Sequence, residues 1–443
     1  MGKSKERVDA ALEVVNSYMG LPAKTVFEHK EISKQRRVRN PRSKVARVST
    51  VSMFDSGTGP AWAEISLSAI TQNFKRIRDY VGGSRQVMAI VKANAYGLGA
   101  ERISLALAKA GVTWFGVSCV GEGIMLRRAG VGGQILVLTD FWSGEVHDIL
   151  KYQLVPTVSS ISKLKQFECE AERFLASDAG ERSSVPFPFH LKINTGMNRL
   201  GLEAGDIGQF ARMLHRYSNV RLAGTYSHFA ASENLDARYT DGQEACFRSS
   251  LGMLRSSGAN PGMVHLANSG AICARPTSWA DMVRPGTILY GYPPPLRAQK
   301  NVCATIVSDL KPSFALRSRV MLLREIEKGE PVGYGPEFIA PRRSKIAVVS
   351  AGFADGVPRS RSNAGSTIIR GAEAPIVGLV SMDLLTIDVT NIVGVSVGDV
   401  VTIYGRDGGS ELSVARVARE MGTVVSELLC SVGMRVPRLY SEL

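Results

Sequence analysis

The chain has 443 residues, 44% of them apolar, and carries a net charge of +14. That length admits two domains of ordinary soluble composition, and no apolar run is long enough to span a membrane. Six cysteines (Cys119, Cys169, Cys246, Cys273, Cys303 and Cys430) stand without a close pair; this fits reduced thiols packed as small core residues better than a disulfide frame or a zinc site.

Residues 1–60 read as a basic, flexible extension. A short amphipathic helix is predicted with Val8, Leu12, Val15 and Met19 on one face and Gly20 and Pro22 as stop signals. Half of the excess positive charge lies before Thr50, mainly from Lys30 to Arg47. A nucleic-acid stripe would interleave those cations with aromatic residues, and this segment has almost none, so it reads as a solvated arm. Arg36-Arg37 is followed by more charge instead of an apolar core, which argues against export and for the cytoplasm. Compact patterning begins only around Trp62, which makes Met53 a candidate start.

From Ala61 to about residue 298, apolar runs alternate with helical stretches. The runs are Val87–Val91, Trp114–Val117, Ile135–Leu138, Val155–Val158, Phe187–Ile193, Leu222–His228, Met263–Ala267 and Met282–Arg284. Eight strands with helices between them predict an α/β fold, a (β/α)8 TIM-type barrel, whose catalytic groups sit at the C-terminal strand ends. Lys92, Lys192, Arg199, His228, Asn268, Ser269 and Arg284 all fall at or just past such ends.

The first of these ends, V-M-A-I-V-K-A-N-A-Y-G-L-G from Val87 to Gly99, is the most informative segment. A partly desolvated lysine at a strand mouth has a lowered pKa and becomes a nucleophile able to form a Schiff base. A lysine snorkelling off the strand end is an equal reading of that segment by itself. The placement of the other polar residues at strand ends tips the balance toward a ligand site. Beyond Pro293-Pro294-Pro295, residues 299–443 turn β-rich, with Phe314–Arg324, Lys345–Val349, Thr367–Ile369, Ile376–Asp388 and Val400–Tyr404 as strands. Turns are expected at Gly371 and Gly408-Gly409, and helix only near Leu412–Met421.

Taken together, A-I-V-K-A-N-A-Y-G, H-L-K-I-N-T-G-M-N-R-L-G, S-H-F-A, H-L-A-N-S, V-R-P-G-T-I-L-Y-G, V-G-Y-G, G-F-A-D-G-V-P-R, V-S-M-D and R-V-P-R resemble the bacterial alanine racemase family, fold-type III enzymes that use pyridoxal 5′-phosphate. The nine motifs come in the family's order and run from about Ala61 to the C-terminus. The resemblance implies a homodimer with shared active sites and interconversion of L- and D-alanine. Lys92 would hold the cofactor and act as one base. Tyr334, from the partner subunit, would act as the other, because a racemase removes a proton from one face of Cα and returns it to the opposite face. By itself Tyr334 also reads as a turn aromatic between strands, and a solitary histidine such as His228 reads first as a satisfied structural residue.

By the same resemblance, His228 links the tyrosine to Arg284, which faces the pyridine nitrogen. Arg199 would face the cofactor's phenolic oxygen and, with Met382 and Asp383, meet the substrate. A carbamylated Lys192 would pair with Arg199, although Asn194 stands where the family has an aspartate. Tyr96, Ser269, Gly286 and Thr287 match the phosphate cradle, with Asn268 beside them, and no metal ligand set is expected. The V-S-M-D aspartate also reads as an exposed strand end. Leu98, Phe353 and Met434 depart from the family's histidine and two tyrosines. The lost hydroxyls open a second reading, a broad-specificity or serine racemase, since one methylene discriminates by only ~1–3 kcal/mol. A non-catalytic carrier of the cofactor is the reading outside enzymes, and a second domain bearing V-G-Y-G argues against it.

Overall fold

The computed structural model describes residues 59–177, 186–233, 238–295 and 304–441. The predicted helix around Val8–Met19 and the basic arm lie outside the described residues. The first strand, β1 (Ala61–Ser66), corrects the boundary of the predicted barrel. It pairs antiparallel with β10 (Phe314–Ile326) and parallel with β17 (Arg438–Ser441), so it belongs to the second sheet. Its side chains alternate: Ala61, Ala63 and Ile65 are buried, while Trp62, Glu64 and Ser66 are half-exposed. That period-two pattern suits a sheet with one wet face, whereas a barrel strand is covered on both.

The barrel closes from β2 (Gln86–Ile90), β3 (Trp114–Val117), β4 (Gln134–Val137), β5 (Val155–Val158), β6 (Phe187–Lys192), β7 (Val220–Tyr226), β8 (Met263–His265) and β9 (Met282–Val283). All neighbouring pairs are parallel, and β9 returns to β2 through Gln86 and Met282. Each strand lies within three residues of its apolar run. Met88, Ile90, Leu136, Val155, Tyr226 and Met282 fill the barrel interior, a cluster distinct from the layer between strands and helices. Gly116 belongs to that filling, because a Cβ there would press on Ile90 at 2.6 Å.

The helices wrap the barrel for local reasons. In Leu67–Val81, the Ser66 hydroxyl accepts from the Ala69 N–H at 3.1 Å and starts the helix. Leu67, Ile70, Phe74, Ile77 and Val81 recur at helical spacing and are buried. Gly82, at φ +87°, ends it. Each buried side chain contributes about 1.5–3 kcal/mol.

In the second domain β10 is the hub. It pairs with β1, with β11 (Ser344–Val349) and with β15 (Val400–Asp407). β12 (Ser366–Ile369) pairs with β13 (Ala372–Pro375) around the predicted turn at Gly371, and also with β15. β11 carries β14 (Leu385–Asp388), and β15 carries β16 (Ser410–Leu412). The predicted strand Ile376–Asp388 therefore narrows to Leu385–Asp388, the stretch before it being mostly loop. The helical signal resolves into Val414–Glu420 and a further helix, Val425–Cys430. Of the five described cysteines only Cys273 is buried, which corrects their expected core role; all five are free thiols. Among the described residues no helix is long and apolar enough to cross a membrane.

Candidate active site

Lys92 leaves the end of β2 and opens a single left-handed turn. Ala93, Asn94, Ala95 and Tyr96 have φ of 52°, 54°, 53° and 57°. Four such L-residues cost roughly 1–2 kcal/mol each, so the turn persists only because its surroundings hold it. The Glu122 carboxylate accepts from the N–H of Ala93 at 2.6 Å and of Ser118 at 2.7 Å. Asn94 Oδ1 accepts from the Ala100 N–H. From the C-terminal strand β17, Arg438 donates to Gly97 O at 3.0 Å and the Tyr440 hydroxyl donates to Leu98 O at 2.9 Å. Gly99 is obligatory, since a Cβ there would run into that hydroxyl.

The turn faces a cavity of about 470 Å³ at the C-terminal end of the barrel. Nine of the twelve predicted site residues line it: Lys92, Tyr96, Arg199, His228, Asn268, Ser269, Arg284, Gly286 and Thr287. Tyr334, Met382 and Asp383 do not; they lie exposed on the second domain. Their loops adjoin one another. A Cβ on Gly333 would sit 3.6 Å from Leu379 N, the Phe353 N–H donates to Ser381 O, and Asp383 pairs with Arg435 at 2.6 Å.

Cations dominate the lining. Lys92, Lys192, Arg199 and Arg284 face one acidic lining residue, Glu233. Burial pulls the Lys92 ammonium below its ordinary pKa, and Arg199 adds to the effect. Lys192, inside the barrel mouth, falls to about 8, through burial first and then Arg199 and Arg284. Arg284 is buried and reaches only neutral acceptors among the described residues: Ser227 O at 2.7 Å, Leu266 O at 3.0 Å, His265 Nδ1 at 2.9 Å and His228 Nδ1 at 3.3 Å. Burial brings its pKa down to about 10. A guanidinium without a counter-ion favours any anion that enters.

Asn194, the departure from the family's aspartate, organises the loop that carries Arg199. Its Oδ1 accepts from the N–H groups of Gly196 and Asn198, and its Nδ2 donates to Asn198 Oδ1 and Glu203. An amide serves because the loop asks for a donor and an acceptor together.

The pKa of Lys192 sets a stability test. Its proton is bound less tightly in the folded chain than in the unfolded one, so the penalty is full below about pH 8 and is relieved as pH climbs toward the free-lysine value. Lys192→Met should therefore flatten the rise in unfolding free energy between pH 8 and 10. Urea titrations in carbonate-free buffer check this, and equal slopes for both proteins would contradict it.

Sequence reasoning missed the residues just below the rim. Tyr226 and His190 lie two positions before His228 and Lys192, and so on the same inward face of their strands. The period of two was the available signal. The Asp140 carboxylate, which accepts from the Ser159 hydroxyl and acts on Lys192, carried no such pattern.

Two family models cover this architecture: "Alanine racemase, N-terminal domain" matches residues 65–294, and "Alanine racemase, C-terminal domain" matches residues 313–440. The alanine racemase of Halothermothrix orenii is 34% identical over 385 residues, covering 87% of this chain and 98% of that protein. That of Methanococcus maripaludis is 36% identical over 383 residues, covering 86% and 98%. Among solved structures, the biosynthetic alanine racemase of Pseudomonas aeruginosa has a TM-score of 0.74 at 34% identity and covers 87% of this chain and all of that one. The Bartonella henselae enzyme, solved with covalently bound pyridoxal phosphate, has a TM-score of 0.75 at 29% identity, covering 86% and 100%. The broad-specificity, serine and carrier readings are not favoured by these relatives. The barrel, its C-terminal β domain and the relatives agree, and the chain belongs to the alanine racemase family.

Proposed function

We propose that this chain interconverts L- and D-alanine with pyridoxal 5′-phosphate, as a cytoplasmic homodimer that supplies D-alanine for peptidoglycan. The observation that carries the reading is the convergence of Lys92 and the Arg284–His228 pair on one cation-lined cavity at the barrel mouth.

The residues present fit the cofactor. The Gly286 N–H donates to Ser269 Oγ at 2.8 Å, and a Cβ on Gly286 would stand 2.5 Å from the Tyr96 hydroxyl. The missing side chain thus leaves room between two hydroxyls and a bend of backbone, a cradle matched to a phosphate dianion. Burial holds the Tyr96 phenol above its ordinary pKa, so it stays a donor. Lys92 would hold the aldehyde carbon and Arg284 would face the ring nitrogen. When bound, the cofactor supplies the electron sink that acidifies the substrate Cα proton.

The chain's own side chains do the rest. Lys92, its amine made less basic by burial, takes or returns the Cα proton on one face. Arg284, a donor only, would give the ring nitrogen a hydrogen bond without protonating it, which would limit the electron sink and favour quick return of the proton over transamination. Arg199 and the neighbouring cations receive the substrate carboxylate. Lys192, able to shed its proton near pH 8, would take up carbon dioxide as a carbamate and face Arg199 as an anion.

The second proton relay lies outside the cavity of a single chain. Tyr334, with Met382 and Asp383, would enter from the partner in a head-to-tail dimer, and His228 would meet the phenol. Incubating the protein and cofactor with L-alanine and separating the enantiomers tests the reading. Accumulation of D-alanine to an even mixture is expected. Unchanged L-alanine, from protein that has taken up the cofactor, would overturn it.

A further inference from the structure

Below the cavity floor, the barrel interior holds two histidines, His265 and His190, that the roles above leave unused and that continue from Arg284. Arg284 Nη1 lies 2.9 Å from His265 Nδ1, and His265 Nε2 lies 2.8 Å from His190 Nδ1. A guanidinium has only donors, so His265 Nδ1 must accept, and the proton of that ring sits on Nε2. The same Nε2–H then donates to His190 Nδ1, which places the proton of the second ring on its own Nε2. No other arrangement of two neutral imidazoles satisfies both contacts.

Both rings are fully buried beside an arginine, which keeps them neutral; burial takes His190 down to about 3 and His265 well below its ordinary value. The chain ends in an orphan. His190 Nε2 has no hydrogen-bond partner and faces Gly224, where a Cβ would stand 2.7 Å away. A buried donor without an acceptor is a cost that evolution seldom leaves in a core without a use. The packing holds the rings rather than relieving it. Tyr226 stacks on His265 with centroids 4.8 Å apart and planes 8° from parallel, and its hydroxyl is tied to Thr157 Oγ1 and Leu138 O. Trp114 covers His190 at 5.3 Å.

We propose that His190 and His265 are positioning residues, a one-way hydrogen-bond chain that aims the Arg284 guanidinium and, through it, His228 at the reacting centre. The inference rests on the reading of Arg284 and His228 given above. On its other side Arg284 Nη2 donates to His228 Nδ1 at 3.3 Å, so His228 also keeps its proton on Nε2 as its remaining donor. Three imidazoles thereby share one tautomer, each set by the single arginine. Remove the ring at His190, and the orphan moves up the chain: the His265 Nε2–H becomes the buried donor without an acceptor. It can escape only by exchanging tautomer or turning, and either movement breaks the bond to Arg284.

Nitrogen-15 NMR of histidine-labelled holoenzyme tests this, since the chain has only six histidines. In the wild-type protein His190 and His265 should both carry the proton on Nε2 and none on Nδ1. His190→Asn places an amide oxygen where Nδ1 stood; it should keep the His265 tautomer and hold kcat within about threefold of wild type. His190→Leu removes the acceptor; it should give His265 mixed tautomers and lower kcat about 10–100-fold with little change in KM. A proton on Nδ1 of either ring in the wild type overturns the proposal, as does a leucine variant with wild-type kcat, or an asparagine variant no better than leucine. Should the leucine variant not fold, the wild-type tautomers decide alone. Wild-type protein that never racemises alanine would refute the enzymatic reading while leaving the tautomers to be read.

Discussion

Lys92→Ala should lower the racemisation rate by at least about 10⁴-fold, while the melting temperature stays level or rises slightly. The activity loss would follow from the two tasks proposed for one amine, the covalent hold on the cofactor and the proton transfer at one face of Cα. The stability forecast follows from the crowd around it. Lys92, Lys192, Arg199 and Arg284 line a single cavity, and the Lys92 ammonium is disfavoured there by burial first and by Arg199 next. Deleting one cation relieves the others. Glu122 still grips the Ala93 and Ser118 N–H groups, so the left-handed turn should survive the change. Lys92→Arg should be as inactive as alanine, because a guanidinium keeps its proton and offers no nucleophile. Chiral chromatography and a thermal melt check both variants, and turnover by the arginine enzyme would take the amine out of the mechanism.

The barrel was legible because its strands are covered on both faces. They read as short unbroken apolar runs, and Val155–Val158 was found to the residue. Strand β1 was not, since its partners Phe314–Ile326 and Arg438–Ser441 lie hundreds of residues away and no local pattern names them. The overlong strand at Ile376–Asp388 failed for a related reason. Its apolar residues are present, but Gly378, at φ +75°, turns the chain, and the Ser381 N–H bonds to Leu384 O and not to a neighbouring strand.

The cavity was legible at its rim, where charged residues interrupt apolar runs. His190, His265 and Tyr226 hide one step deeper because they sit inside strands, where a sequence suggests packing and not polarity. Their meaning depends on contacts across the barrel, as in the His190–His265 bond between β6 and β8. The grip of Arg438 and Tyr440 on Gly97 and Leu98 was equally hidden, joining segments more than 300 residues apart.

Tyr334→Phe should cut racemisation by about 10²–10⁴-fold while leaving cofactor binding intact, and the way that loss is repaired locates the phenol. Tyr334 is 70% exposed, between Gly333 and Gly335 at positive φ, and does not line the cavity that holds Lys92. Exposed Phe353 and Met382 stand on adjoining loops, an apolar margin suited to burial against a second copy. Equal amounts of Lys92→Ala and Tyr334→Phe chains, unfolded together and refolded, should therefore recover about a quarter of wild-type activity. Half of the dimers would be mixed, and each mixed dimer would hold one intact site, with Lys92 from the Tyr334→Phe chain and the phenol from the other. Its second site would carry both lesions. If the tyrosine instead served the lysine of its own chain, every site in the mixture would keep one lesion, and refolding together would restore nothing.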